Sequence, residues 1–317
     1  MKRLFLLLIA ALLMVAMVSC GENTAPGETT EPFSVPESQP QLQEPTTTEP
    51  PTEPSTELPT EPEETVPIPE PADDVLVPVS DYIPGIMVEL RYASADNFTG
   101  QRIYDFEIPF LRYGTVKKLL IVQQQLEAQG LGLKLWDGFR PISAQYALWE
   151  VCPDSRYVAD PRTGFSSHSR GNTVDITLVD ATGSELIMPT GFDDFSAMAD
   201  RDYSDCDPEA AKNAFLLQQA MEAAGFTGYF GEWWHFSDTV SYPVEEAFQP
   251  LPPVLCTPEC EEFITLRQSP DTASQELAKI PVGAEFTVLA RQGEFYYADY
   301  YGLRGYVLIA YTREPQE

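Results

Sequence analysis

The chain has two histidines among its 317 residues, and each sits beside groups able to work with it. His168 lies in the run Ser166-Ser167-His168-Ser169-Arg170-Gly171-Asn172-Thr173-Val174-Asp175, and His235 in Glu232-Trp233-Trp234-His235. One histidine has a carboxylate seven positions later, and the other follows a glutamate by three. Together they offer His168, Asp175 and His235 as ligands for a single zinc ion, with Glu232 left over to handle protons. Arg140 is a further candidate, because a guanidinium stays charged and favours a developing oxyanion over the neutral carbonyl it comes from. Plainer readings stay open at this point: His235 as a core or surface histidine with a glutamate nearby, and Arg140 as one half of a structural ion pair. Ser166 and Ser167 precede a histidine, but adjacency is not the geometry of a nucleophilic triad.

These side chains need elements to hold them. Thr173 to Val179 reads as a strand with Val174, Ile176 and Leu178 on one face, so Asp175 projects from the other. The apolar spacing of Val116, Leu119, Leu120, Val122 and Leu126 predicts a helix over 115–129 stopped by Gly130. Leu131 to Leu135 predicts a strand running into a turn at 136–141, followed by a helix over 143–151. A further helix over 209–224 follows Asp207-Pro208 and stops at Gly225. Helices interleaved with short strands predict an α+β domain with a mixed or antiparallel sheet. A separation of three puts Glu232 and His235 on opposite faces of a regular strand, so a bend is expected there if both serve one site. Trp233 and Trp234 are then material for packing that bend, or simply for the core.

The chain ends add compartment and organisation. Lys2 and Arg3 precede an apolar run from Leu4 to Val18, too short for a comfortable membrane span and suited to a signal peptide. The following Met17-Val18-Ser19-Cys20-Gly21 resembles a bacterial lipobox, which implies lipidation of Cys20 and a lipid-anchored, extracytoplasmic protein at the membrane surface. Residues 21–80 contain 14 prolines, 14 acidic residues and no lysine or arginine. Such a composition predicts a disordered tether. The formal net charge of −30 argues against a nucleic-acid partner. The organisation expected is a signal peptide at 1–20, a linker at 21–80, a main domain at 81–250 and a small one at 255–317, separated by Gln249-Pro250-Leu251-Pro252-Pro253. Four cysteines remain in an oxidising compartment, and the expected disulfides are Cys152 to Cys206 and Cys256 to Cys260.

Two resemblances sharpen these readings. Ser166-x-His168 with Asp175, and Glu232-x-Trp234-His235, resemble the D-alanyl-D-alanine metallopeptidase family, and within it the VanX-type dipeptidases. Tyr92 to Gly100, Trp136 to Pro141 and Gly191-Phe192-Asp193 fit the same subgroup. The resemblance implies one zinc ion per chain on His168, Asp175 and His235, Glu232 as general base and Arg140 at the oxyanion. It also implies Tyr92 and Asp193 at the substrate amino terminus and Ser166 near its carboxylate, while a family tyrosine near that carboxylate corresponds to Phe106, which brings no hydroxyl. The expected substrate is D-alanyl-D-alanine or a related D,D-dipeptide; a peptidoglycan D,D- or L,D-carboxypeptidase and a non-catalytic wall-binding lipoprotein are the alternatives. In the small domain, Leu266-Arg267-x-x-Pro270 and Gly302-x-x-Gly305-Tyr306-Val307 resemble bacterial SH3 domains, which implies an SH3-like β-barrel and a possible peptidoglycan contact.

Overall fold

The computed structural model describes residues 70–314. The first elements are β1 (Leu76–Pro78), α1 (Val79–Tyr82), β2 (Met87–Val88) and β3 (Phe110–Arg112). They are followed by α2 (Tyr113–Glu127), β4 (Leu131–Asp137), α3 (Ile142–Val151) and β5 (Thr173–Asp180). Then come α4 (Pro208–Ala223), β6 (Phe226–Gly228) and β7 (His235–Asp238). A mixed sheet runs in the order β2-β4-β5-β7-β6, in which only the β2 and β4 pair is parallel. The expected α+β architecture is therefore present. Val174, Ile176 and Leu178 of β5 are buried with Val116, Leu119 and Leu126 of α2 and Leu217 and Met221 of α4. Asp207 caps α4 by accepting from the amides of Glu209 and Ala210, with Pro208 at the first helical position.

Folded structure begins earlier than the composition of 21–80 suggests. Leu76, Val77 and Val79 are buried, and β1 pairs antiparallel with β3. Averaging over an acidic, proline-rich stretch conceals this short apolar run at its end. The Cys20 expectation and most of the expected linker lie outside the described residues.

The C-terminal part comprises β8 (Phe248–Pro258), β9 (Phe263–Arg267), β10 (Glu276–Pro281) and β11 (Phe286–Gln292). It continues with β12 (Phe295–Tyr300), β13 (Leu303–Leu308) and β14 (Thr312–Arg313). These strands form an antiparallel sheet in the order β10-β9-β13-β12-β11-β8-β14. The expected closed barrel is not what the pairing gives, because β10 and β14 end the order and do not pair with each other. The proline-rich stretch at 249–253 lies within β8, whose pairing with β11 shifts register between Val288 and Ala290. That irregularity accommodates prolines that cannot donate to a regular ladder.

Two further expectations are overturned. Cys152, Cys206, Cys256 and Cys260 are all free thiols, so neither disulfide forms. Cys152 packs against the apolar cluster that contains Leu148 and Tyr92, while the Cys206 thiol donates to the Tyr203 carbonyl before α4. Cys256 and Cys260 both pack in the C-terminal core, where burial pushes the Cys256 thiol up to about 11. Cysteine serves there as a small apolar side chain. As for membrane attachment, no helix among the described residues is long and apolar enough to cross a membrane.

Candidate metal centre

Strand register assembles the centre. Asp175 is the cross-strand partner of Asp137 on β4 and of His235 on β7, so one row across three adjacent strands carries all three side chains. His168 arrives from a short 3-10 turn, Ser167–Arg170, just before β5. That turn closes at Gly171, whose φ of 73° lies in the left-handed region and whose added Cβ would meet Leu76 Cδ2 at 2.6 Å. The chain between β6 and β7 bends as the spacing of Glu232 and His235 requires, with the His235 amide donating to the Glu232 carbonyl. Trp233 and Trp234, within that bend, are fully buried in the same core cluster with ring centroids 5.5 Å apart, which is the ordinary packing role.

His168, Asp175 and His235 each offer one ligand atom, all within 4.8 Å of one another. His168 Nε2 lies 3.3 Å from Asp175 Oδ2, and His235 Nδ1 lies 3.0 Å from Asp175 Oδ1. Yet Asp175 Oδ1 is buried with no hydrogen-bond partner among the described residues. Atoms that close without a hydrogen bond suit lone pairs converging on a shared cation, and a two-imidazole, one-carboxylate donor set suits zinc. The outer ring nitrogens agree. His168 Nδ1 is 2.9 Å from the Gly138 carbonyl, which makes it the protonated nitrogen and leaves Nε2 bare. His235 Nε2 is 3.4 Å from Ser167 Oγ on its outer side.

The charged groups are tuned by one another. Burial disfavours the Asp175 carboxylate, but His168 and His235 outweigh it and hold the group far below the usual carboxylate range. Burial likewise opposes a charge on His168, where Asp175 and Asp137 prevail and raise it. Glu232 Oε2 lies 3.5 Å from His235 Nδ1, and burial raises its carboxyl above the ordinary value, partly offset by His235. A raised carboxyl beside a candidate metal position suits a group that takes and returns a proton.

Arg140 is buried in the same centre. Its Nη2 and Nε donate to Asp137 Oδ2 at 2.7 and 3.1 Å, its Nη1 to Gln145 Oε1 at 3.1 Å, and its guanidinium lies 5.0 Å from the Tyr92 ring centroid. Burial works against the charge, but Asp137 outweighs it, so the group stays protonated. Tyr92 donates to Asp193 Oδ2 at 2.7 Å. Asp193 has a φ of 56°, an uncommon conformation for a residue with a side chain, and burial pushes its carboxyl up to about 8. Ser166 Oγ accepts from the His168 amide at 3.3 Å, which gives it a capping role in the turn. Phe106 is buried and stacks on Tyr104 with ring centroids 4.6 Å apart.

Sequence reasoning missed several supporting residues. Asp137 accepts from Tyr104, from the Gly138 amide and twice from Arg140, and its i,i+3 spacing to Arg140 was the one available signal. Arg201 donates to the carbonyls of Tyr229, Trp233 and His235 and so pins the bend that carries Glu232. Nothing in its neighbourhood along the chain announces that role.

A mixed sheet with two imidazoles, a carboxylate, a spare glutamate and a buried guanidinium at one end of three strands defines the type of centre used by single-metal hydrolases. The D-Ala-D-Ala dipeptidase model of the peptidase M15 family matches residues 73–250, and a bacterial SH3 domain model matches residues 262–312. The D-alanyl-D-alanine dipeptidase of Escherichia coli (strain K12) is 38% identical over 171 residues, covering 53% of this chain and 88% of that protein. Those of Streptomyces coelicolor and Enterococcus faecalis are 35% and 30% identical, each over 50% of this chain and over 89% and 88% of their own lengths. The chain belongs to the D-Ala-D-Ala dipeptidase family of M15 peptidases, with a bacterial SH3-like domain following.

Proposed function

We propose that this protein is a zinc peptidase that hydrolyses D-alanyl-D-alanine or a closely related D,D-dipeptide in cell-wall metabolism. The observation that carries the reading is the convergence of His168, Asp175 and His235, with a buried carboxylate oxygen at its centre that accepts no hydrogen bond among the described residues. These three residues would hold the ion, which when bound supplies acidification of a water and polarisation of the scissile carbonyl. Glu232 takes the proton of the attacking water and returns it to the leaving amine. Arg140, kept charged by Asp137, faces the oxygen that becomes negative as the tetrahedral intermediate forms. The Tyr92 and Asp193 pair accepts the substrate ammonium, and Ser166 lies toward the substrate carboxylate. The lipobox-like sequence at Cys20 supports a lipid-anchored, extracytoplasmic location.

Zinc stoichiometry of the purified chain, measured alongside turnover of free D-alanyl-D-alanine and of a stem pentapeptide, tests the reading. One zinc per chain with dipeptide cleavage supports it. Release of only the terminal D-alanine from the pentapeptide would make the protein a carboxypeptidase instead. A chain that binds no zinc and cleaves neither peptide would be the wall-binding lipoprotein.

A further inference from the structure

The loop that carries Arg140 is held by both parts of the folded chain. Four consecutive residues of it point to different tasks. The Asp137 carboxylate holds Arg140, and the Gly138 carbonyl orients the His168 ring. Phe139 turns away from the centre into a separate apolar cluster, and Arg140 turns back toward the centre, its amide donating to the His168 carbonyl.

That cluster joins Phe110 and Phe139 to Phe248, Leu289, Tyr297 and Tyr306 of the C-terminal sheet. Phe139 and Phe248 are each 2% exposed, with ring centroids 5.9 Å apart. Phe110 lies 4.9 Å from Phe248 and 6.0 Å from Tyr297, and its carbonyl accepts from the Phe139 amide. Polar contacts tie the same surfaces together: Ser143 at the start of α3 with Gln249, and Asp81 with Arg304 at 2.5 Å. The connecting segment straps the other side of the centre, where the Glu245 amide donates to the Ser169 carbonyl and Glu245 pairs with Arg112.

We infer that the C-terminal domain is the back wall of the peptidase centre, and that Phe139 and Phe248 are positioning residues for Arg140. A domain that only gripped the wall would need no aromatic core continuous with the residue beside the oxyanion partner. Here the guanidinium is anchored by Asp137 and Gln145, within a loop that is also fixed by a ring clamped by β8, β11, β12 and β13. Loosening the clamp lets the loop shift, and a small displacement of an oxyanion donor is costly because such donors act only when pre-placed.

The inference takes Arg140 as the oxyanion partner and so rests on the peptidase reading. It is tested on the full-length, zinc-saturated chain in solution, with no cell wall present. Phe248→Ala is expected to lower kcat for D-alanyl-D-alanine by roughly 10-fold while KM stays within about 2-fold, the pattern of an interaction made in the transition state. Phe248→Leu, which refills most of the space, is expected to recover most of that loss. In an Arg140→Ala background the same Phe248→Ala change is expected to cost less than about 2-fold, because residues acting through one another are not additive. Equal losses in both backgrounds, or parental kcat in a Phe248→Ala chain that merely melts earlier, would overturn the inference. Amide exchange on the zinc-free chain provides a readout independent of activity. Phe248→Ala should raise exchange at Phe139 and Arg140, and unchanged protection there counts against the proposal. If the parent chain cleaves no dipeptide, the peptidase reading fails and the exchange result decides the positioning role by itself.

Discussion

Asp175 and His235 are directly paired across β5 and β7, and the same register places Asp137 opposite Asp175 on β4. A candidate metal position with two of its three ligands on neighbouring strands inherits the rigidity of the sheet, and its third, His168, needs only a one-turn approach. His168→Ala, Asp175→Ala and His235→Ala should therefore each lower zinc occupancy without unfolding the chain. Metal analysis after dialysis against a weak chelator, together with circular dichroism, checks this; full occupancy in all three variants would remove the proposed ligand set.

Glu232 should behave differently, because the role proposed for it is proton transfer and not holding metal. Glu232→Gln keeps shape and much of the hydrogen bonding but loses the carboxylate. Zinc content should match the parent, and dipeptide turnover should fall by roughly 100-fold or more, the order associated with a positioned general base. Retained turnover with one zinc bound would sink the mechanism.

Asp137 is buried and accepts both the Arg140 fork and the Tyr104 hydroxyl. Asp137→Ala strands a buried guanidinium, and breaking a buried pair on one side costs about 3 to 5 kcal/mol. Asp137→Asn preserves the outline while removing the charge, so it should fold and still lose turnover with little change in KM. Urea unfolding separates the two variants. An Asp137→Ala chain as stable as its parent would show that Arg140 has other support.

Asp193 makes stability depend on pH in an identifiable direction. Burial raises its folded-state pKa from the ordinary 3.8 to about 8. Between those values the folded chain holds a proton that the unfolded chain releases. Its contribution is thus complete below pH 3.8 and is lost as pH rises through about 8. The slope for one such proton is about 1.4 kcal/mol per pH unit. In zinc-free protein, Asp193→Asn should flatten the fall in urea midpoint between pH 5.5 and 7.5 on the order of that slope. Parallel curves for parent and variant would mean that Asp193 is ionised in the folded state.

Much of this was legible along the chain. The helices over 115–129, 143–151 and 209–224 appear as α2, α3 and α4 with small shifts at their ends, because each has apolar residues that its neighbours bury, those of α3 in a cluster separate from those of α2 and α4. Hydrophobic periodicity and stop residues are local properties, and so is the unusual company kept by two scarce histidines. What the sequence could not reveal depends on distance through space. Strand register alone puts Asp137, Asp175 and His235 in a row, and along the sequence Asp137 stands out only as a turn residue three positions before Arg140. Arg201 reaches three carbonyls about 30 residues away, a relation no spacing encodes. The even cysteine count suggested disulfides, but whether a thiol meets another or packs alone is decided by where the fold leaves it, and here all four remain free. Phe139 carries the same lesson. Its type marks it as apolar, and only tertiary packing shows that this neighbour of Arg140 in the chain is buried against the C-terminal sheet.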